Sequence, residues 1–148
     1  MNDYMLDTNA FNNALDAGVS PAVLSQHGKL YITHIQLNEI QATRNQARLA
    51  DLLAVFESLE QERVPTAAAV WDVSEFGGAE FGSGEGLYEK MLAELNRRNK
   101  NHHNNAQDIL IALTAFKRGY VLVTNDRHLG DVLREFGGRA VSYEEFVQ

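Results

Sequence analysis

Two aspartates follow short apolar stretches near opposite ends of the 148-residue sequence. Asp7 comes directly after residues 4–6, and Asp126 comes shortly after residues 120–123. A short apolar run bounded by polar residues is typical of a buried strand in a parallel sheet, and open α/β sheets bind ligands beyond the carboxyl ends of their strands. Both aspartates are therefore candidates for a functional site; the alternative is that each caps the helix after its strand.

Two further carboxylates are expected at the same edge of the sheet. Asp108 opens a helix predicted over residues 106–118, and Glu39 lies one to two turns into a helix that follows a strand at residues 30–33. Right-handed crossovers carry each helix back from the carboxyl edge, so helix starts and strand ends share that edge. Connectivity alone therefore brings all four carboxylates to one edge.

Carboxylates held close together raise one another's pKa and destabilise a fold unless a cation joins them. Oxygen ligands of this kind suit Mg²⁺ or Mn²⁺. Two such ions can activate a water and stabilise the leaving oxygen in phosphodiester hydrolysis. The predicted cofactor is therefore Mg²⁺ or Mn²⁺, and the predicted reaction is hydrolysis.

The composition limits the class of protein. The formal net charge of −7 argues against holding nucleic acid by bulk positive charge, although a metal bound to carboxylates inverts the local charge. No cysteine is present, which excludes disulfides and thiolate metal sites. No apolar run approaches the roughly 18 residues of a membrane span, and no signal peptide is evident. We expect a cytoplasmic protein without a membrane segment.

Strands alternating with helices predict a single α/β domain over residues 1–148, with a mostly parallel sheet. Besides the elements above, we predict helices at residues 46–62, 87–98 and 131–136, and strands at residues 64–65 and 139–142. Residues 76–86 hold five of the chain's 11 glycines, and we interpret them as a surface loop whose role the sequence leaves open.

The segments around the four carboxylates resemble the PIN domain family of metal-dependent ribonucleases, and within it the VapC-type toxins of toxin–antitoxin pairs. The matching segments are residues 5–9, 32–40, 107–115 and 121–126, and the pattern extends over nearly the whole chain. The resemblance implies a three-layer α/β/α sandwich with a central parallel sheet. It assigns the metal-binding and catalytic quartet to Asp7, Glu39, Asp108 and Asp126, with Asn9 and Thr124 as supporting residues.

The resemblance also implies a function. It is that of an endoribonuclease that hydrolyses RNA phosphodiester bonds as the toxin of a type II pair, with a cognate antitoxin and a homodimeric state. Arg97, Arg98 and Lys100 form the densest basic patch, and Arg127 borders Asp126. These four residues are candidates for contacts to the RNA backbone. The alternative for the patch is a plain exposed helix end.

Other classes of protein fit the sequence less well. A catalytically silent PIN-like module that binds RNA or protein is the main alternative, and the intact quartet argues against it. A phosphoacceptor receiver domain needs paired acids near the first strand, and haloacid-dehalogenase phosphatases need a second aspartate where Asn9 stands. His102 and His103 are adjacent and have no partner at ligand spacing, so we interpret them as a solvated loop.

Overall fold

The computed structural model describes residues 2–19, 21–58, 61–64, 86–100 and 104–148. Residues 76–85 of the glycine-rich stretch lie outside these ranges, and so do His102 and His103. The interpretations of those residues therefore stay predictions.

The described residues form five strands and eight helices. In chain order the strands are β1 Asp3–Leu6, β2 Lys29–Ile32, β3 Gln61–Arg63, β4 Val121–Val123 and β5 Arg139–Val141. The helices are α1 Thr8–Ala17, α2 Pro21–Ser25, α3 His34–Gln41, α4 Gln46–Ser58, α5 Leu87–Arg98, α6 Asn105–Arg118, α7 Arg127–Glu135 and α8 Tyr143–Val147. None of these helices is long and apolar enough to cross a membrane.

The five strands form one parallel sheet in the order β3-β2-β1-β4-β5. The strand order reverses between β1 and β4, and such a switch point is where open α/β sheets bind ligands. Leu6 pairs with Val123, and the Asp7 amide donates to the Val123 carbonyl at 3.0 Å. The residues that follow β1 and β4 therefore begin side by side at this switch point.

Alternating side chains of the strands bury the two faces of the sheet under separate helical layers. Met5, Tyr31 and Leu122 belong to the core formed with α5, α6 and α7. Leu6 and Val123 point to the opposite face, into the core formed with α1, α4 and α8. The predicted three-layer α/β/α sandwich is confirmed.

The third strand differs from its prediction. The helix predicted over residues 46–62 ends at Ser58, and the strand lies at Gln61–Arg63 rather than at residues 64–65. Glutamine, glutamate and arginine favour helices by intrinsic propensity, which extended the predicted helix too far. In the fold these residues pair with β2 at the edge of the sheet, where short and charged strands are common.

The other boundaries are close to prediction, with one exception. Helix α5 has the predicted bounds, and α6 begins one residue earlier than predicted. Helix α7, however, begins at Arg127 instead of residue 131, because Asp126 caps it. The first turn of α7 is polar, so the apolar spacing used for the prediction does not show where the helix begins. The helical segment next to the site is therefore longer than the sequence suggested.

Candidate functional site

Asp7 lies at the centre of the carboxyl edge, directly after β1, and its side chain is buried. One carboxylate oxygen accepts from the Thr124 hydroxyl at 2.7 Å and from the Asn9 amide at 3.3 Å. The other accepts from the Thr8 backbone amide at 2.8 Å, which caps α1. Burial, with the charges of Glu39 and Asp126, raises the Asp7 pKa to about 6 although the hydrogen bonds to Thr124 and Thr8 oppose the shift.

Thr124 and Asn9 join the ends of β1 and β4. The Thr124 hydroxyl donates to Asp7 and accepts from the Asp126 backbone amide at 3.1 Å. The Asn9 side chain donates to Thr124 at 3.3 Å and accepts from the Asn125 backbone amide at 3.2 Å. The structure thus places both predicted supporting residues against the carboxylates that they were expected to support.

Asp126 is half-buried and caps α7, where its carboxylate accepts from the Leu129 backbone amide at 3.1 Å. Its negative charge also contributes to the raised pKa of Asp7 and of Asp108. The helix caps that the sequence offered as the alternative are therefore confirmed, and the functional role stays a prediction. Asp7 and Asp126 cap helices, and they also belong to one cluster of carboxylates.

Glu39 is positioned by α3 and by a contact that the sequence analysis missed. The Thr8 hydroxyl donates to the Glu39 carboxylate at 2.6 Å, joining α1 to α3 beside the switch point. Burial raises the pKa of Glu39, and the hydrogen bond from Thr8 lowers it in part. Thr8 stands between Asp7 and Asn9, so its place in the sequence was a signal for this role.

A second missed residue, Gln36, fixes α3 against β1. Its side chain is fully buried, and its amide nitrogen donates to the Leu6 carbonyl at 2.9 Å. Its amide oxygen accepts from the Thr33 backbone amide at 2.9 Å as part of a capping box. The Thr-x-x-Gln spacing of residues 33–36 is the sequence signal for such a box. Gln36 therefore fixes the first turns of α3, which carry Glu39 one turn later, against the end of β1.

Asp108 has a pKa that is raised further than that of Asp7. It lies in the first turn of α6, and burial, with the charges of Asp7, Glu39 and Asp126, raises its pKa to about 8. No described residue donates a hydrogen bond to its carboxylate, in contrast to the other three acids. Asp108 therefore keeps its proton to a higher pH than an ordinary aspartate does, as long as no cation offsets its neighbours.

The chemistry of the four side chains fits a hard divalent cation, because all of them are carboxylates and Asp108 has no described donor. In their present rotamers, no three acidic or histidine side chains of the described ranges converge as a metal-ligating group. Glu39 is turned toward Thr8 and Asp126 toward the Leu129 amide. Binding a cation would require at least one of these side chains to leave its present partner.

The predicted RNA contacts fall into two groups. Arg97 pairs with Glu94 on its own helix, and Arg98 pairs with Glu94 as well as with Asp131 and Glu135 of α7. Their charges are offset within the protein. Lys100 and Arg127 are exposed and form no ion pair with any described residue. Arg127 begins α7 and lines a cavity together with Asp126.

Two cavities flank the carboxylates. One of about 600 Å³ lies between α3 and the start of α6, and both Thr8 and Glu39 line it. The other, of about 500 Å³, is lined by Thr124, Asp126 and Arg127 together with polar residues of α7 and α8. A ligand centred on the carboxylates thus has room on both sides, with different chemistry on each.

The arrangement of the sheet and its helical layers is a PIN-like fold, as the sequence predicted. No family model and no curated protein matches the chain. Among solved structures, the crystal structure of VapBC2 from Rickettsia felis bound to a promoter DNA fragment is similar, with 20% identity and a TM-score of 0.59 over 95% of this chain and 98% of that one. The structure of PAE2754 from Pyrobaculum aerophilum is similar at 20% identity and a TM-score of 0.56, over 99% of this chain and 87% of that one.

Proposed function

We propose that the protein is a Mg²⁺- or Mn²⁺-dependent endoribonuclease that hydrolyses phosphodiester bonds of RNA. The observation that supports this most is the electrostatic coupling of Asp108 to Asp7, Glu39 and Asp126 at the switch point of the sheet. A partly buried carboxyl group among negative charges costs the fold stability, and such a cost is typical of sites that hold a cation or a proton.

The residues of the chain have distinct roles in this proposal. Asp7, Glu39, Asp108 and Asp126 would hold the divalent cation. When bound, the ion would act as a Lewis acid on the phosphate and lower the pKa of a water molecule. Thr124 orients the Asp7 carboxylate, and Arg127, which lines a cavity with Asp126, would contact a phosphate.

The test is cleavage of a structured RNA by the purified protein. We expect cleavage with Mn²⁺ or Mg²⁺ and none with EDTA. We also expect Asp7→Asn to abolish cleavage, because the central carboxylate is lost. Asp3→Asn is the matched control, since Asp3 is exposed at the opposite end of the same strand. Cleavage that persists equally in EDTA would contradict the metal mechanism, and its absence under all conditions would favour the silent RNA- or protein-binding module.

We further propose that this nuclease is the toxin of a type II pair, acting in the cytoplasm as a homodimer restrained by an antitoxin. The likeness of the fold to a chain of a VapBC2 structure supports this. A cationic side chain of the antitoxin would pair with the carboxylates in place of metal. We expect expression of the protein to arrest growth, and coexpression of a small adjacent reading frame to restore it. Unchanged growth on overexpression of an active nuclease would contradict the toxin role.

A further inference from the structure

Apart from Thr8 and Glu39, the cavity between α3 and α6 is lined by residues that the metal-dependent reaction does not use. Three of its lining side chains are the carboxamides of Asn38, Asn104 and Gln107, all exposed. None of these three side chains hydrogen-bonds to another residue in the described ranges. Their donors and acceptors are therefore available to a ligand.

The cavity suits a nucleobase in its chemistry. Each carboxamide presents a donor beside an acceptor, which is the pattern that pairs with the edges of bases. Ile35, Ala42 and Leu110 supply apolar surface for the face of a base. The described residues that line the cavity include His34 and Glu39 but no lysine or arginine, so a phosphate would meet the negative charge of Glu39 there. Its volume of about 600 Å³ lies within the range of small-molecule sites.

The position of the cavity connects it to the carboxylates. Thr8 and Glu39, which are hydrogen-bonded to each other, form part of its wall. Gln107, on the opposite wall, immediately precedes Asp108 in α6. An RNA strand with a phosphate at the carboxylates would therefore have a neighbouring base at the mouth of the cavity. The second cavity is lined by Arg127 and several acids, and the carboxamide of Asn125 in its lining is already hydrogen-bonded to Tyr143 and Glu144.

We propose that this cavity is a nucleobase subsite that holds one unpaired base next to the bond to be cleaved and gives the enzyme its sequence preference. The proposal rests on the proposed ribonuclease function for its role in cleavage. It assigns Asn38 and Gln107 as the residues that read the base. Sequence-specific recognition of RNA is generally directed at unpaired bases of this kind.

The first test measures binding without metal and without cleavage. Side-chain amide signals of Asn38 and Gln107 are followed by NMR in EDTA during titration with AMP, GMP, CMP and UMP. We expect saturable shifts with at least one nucleotide and none with ribose 5-phosphate, which lacks a base. The variants Asn38→Ala and Gln107→Ala should weaken binding about tenfold, the order that one specific base contact contributes. Gln41→Ala, at an exposed α3 position outside the cavity, should not.

The second test measures sequence preference on an RNA pool with randomised positions. We expect Asn38→Ala and Gln107→Ala to flatten the preference at one position beside the cleaved bond. Equal shifts with ribose 5-phosphate, no shift with any nucleotide, or an unchanged preference would overturn the subsite. The subsite would also be overturned if the two variants lost only their binding to the antitoxin, because the cavity would then be a protein-docking site. Base binding without any cleavage would support the subsite and contradict the proposed function.

Discussion

Replacing Asp108 by asparagine should abolish RNA cleavage and yet make the metal-free protein more stable at pH 8. Cleavage is lost because the cation would lose a carboxylate ligand. Stability rises because the wild-type carboxyl group, whose pKa is raised to about 8 by burial and by Asp7, Glu39 and Asp126, must otherwise ionise among negative charges. Asparagine has nearly the same shape and is never charged.

The direction of the pH dependence follows from proton binding. An unfolded aspartate has a pKa near 3.9, so from that pH upward the unfolded chain releases a proton that folded Asp108 retains. Its contribution therefore lowers the free energy of unfolding as pH rises from about 4 to about 8, and the loss is complete above the folded pKa. Asp7, with a pKa of about 6, adds a smaller loss between about pH 4 and 6.

The measurement is denaturant unfolding of wild type and Asp108→Asn in EDTA at pH 5, 7 and 9. We expect the stability advantage of the variant to grow with pH and to reach several kcal/mol, since raising the pKa of an aspartate from about 3.9 to about 8 corresponds to roughly 5 kcal/mol at most. Added Mn²⁺ should stabilise the wild type more than the variant, since the gain follows the affinity of the site. An advantage that is absent at pH 9, or that shrinks as pH rises, would mean that Asp108 is not held among negative charges.

Asp126 provides a comparison in the same assay. Asparagine caps a helix about as well as aspartate, so Asp126→Asn keeps the bond to the Leu129 amide and removes only a charge. Alanine removes both, and loss of a cap costs about 1 kcal/mol. The difference between the two variants therefore separates the helix cap at Asp126 from its place in the carboxylate cluster.

The parts of the fold that the sequence predicted are those set by short-range patterns. The apolar runs before Asp7 and Asp126 are buried strands, and the helices at Leu87–Arg98 and Asn105–Arg118 follow their apolar spacing. Because chain connectivity fixes which ends of strands and helices share an edge, the sequence also predicted that the four carboxylates lie at one edge of the sheet. The strand order β3-β2-β1-β4-β5 did not, since an edge strand of three polar residues gives no periodic signal.

The contacts that orient the site were not predictable in the same way. Thr8 and Glu39 are 31 residues apart, and Asp7 and Thr124 are 117 apart, so each pair meets only after the sheet has formed. The ion pairs of Arg98 with α7 likewise depend on the packing of two helices. Charge along the sequence suggested a patch for RNA, whereas tertiary contacts neutralise Arg98 within the protein.

Gln36 is the buried residue whose replacement should damage the fold and the site together. Gln36→Met keeps the length and approximate volume of the side chain but removes its donor and its acceptor. The Leu6 carbonyl and the Thr33 amide would then lose their buried partner. Each unsatisfied buried group costs about 1–3 kcal/mol, so we expect the loss of two partners to make the variant less stable by about 2–6 kcal/mol.

The effect on function should exceed the effect of lost stability alone. Because Gln36 ties α3 to the end of β1, its loss should let Glu39 shift relative to Asp7. At a temperature where the variant remains folded, we therefore expect a lower kcat and a higher Mn²⁺ concentration for half-maximal stabilisation. Gln41→Met, at an exposed position of the same helix, is the matched control and should change neither. If Gln36→Met bound Mn²⁺ as the wild type does, Gln36 would be a structural residue without influence on the carboxylates.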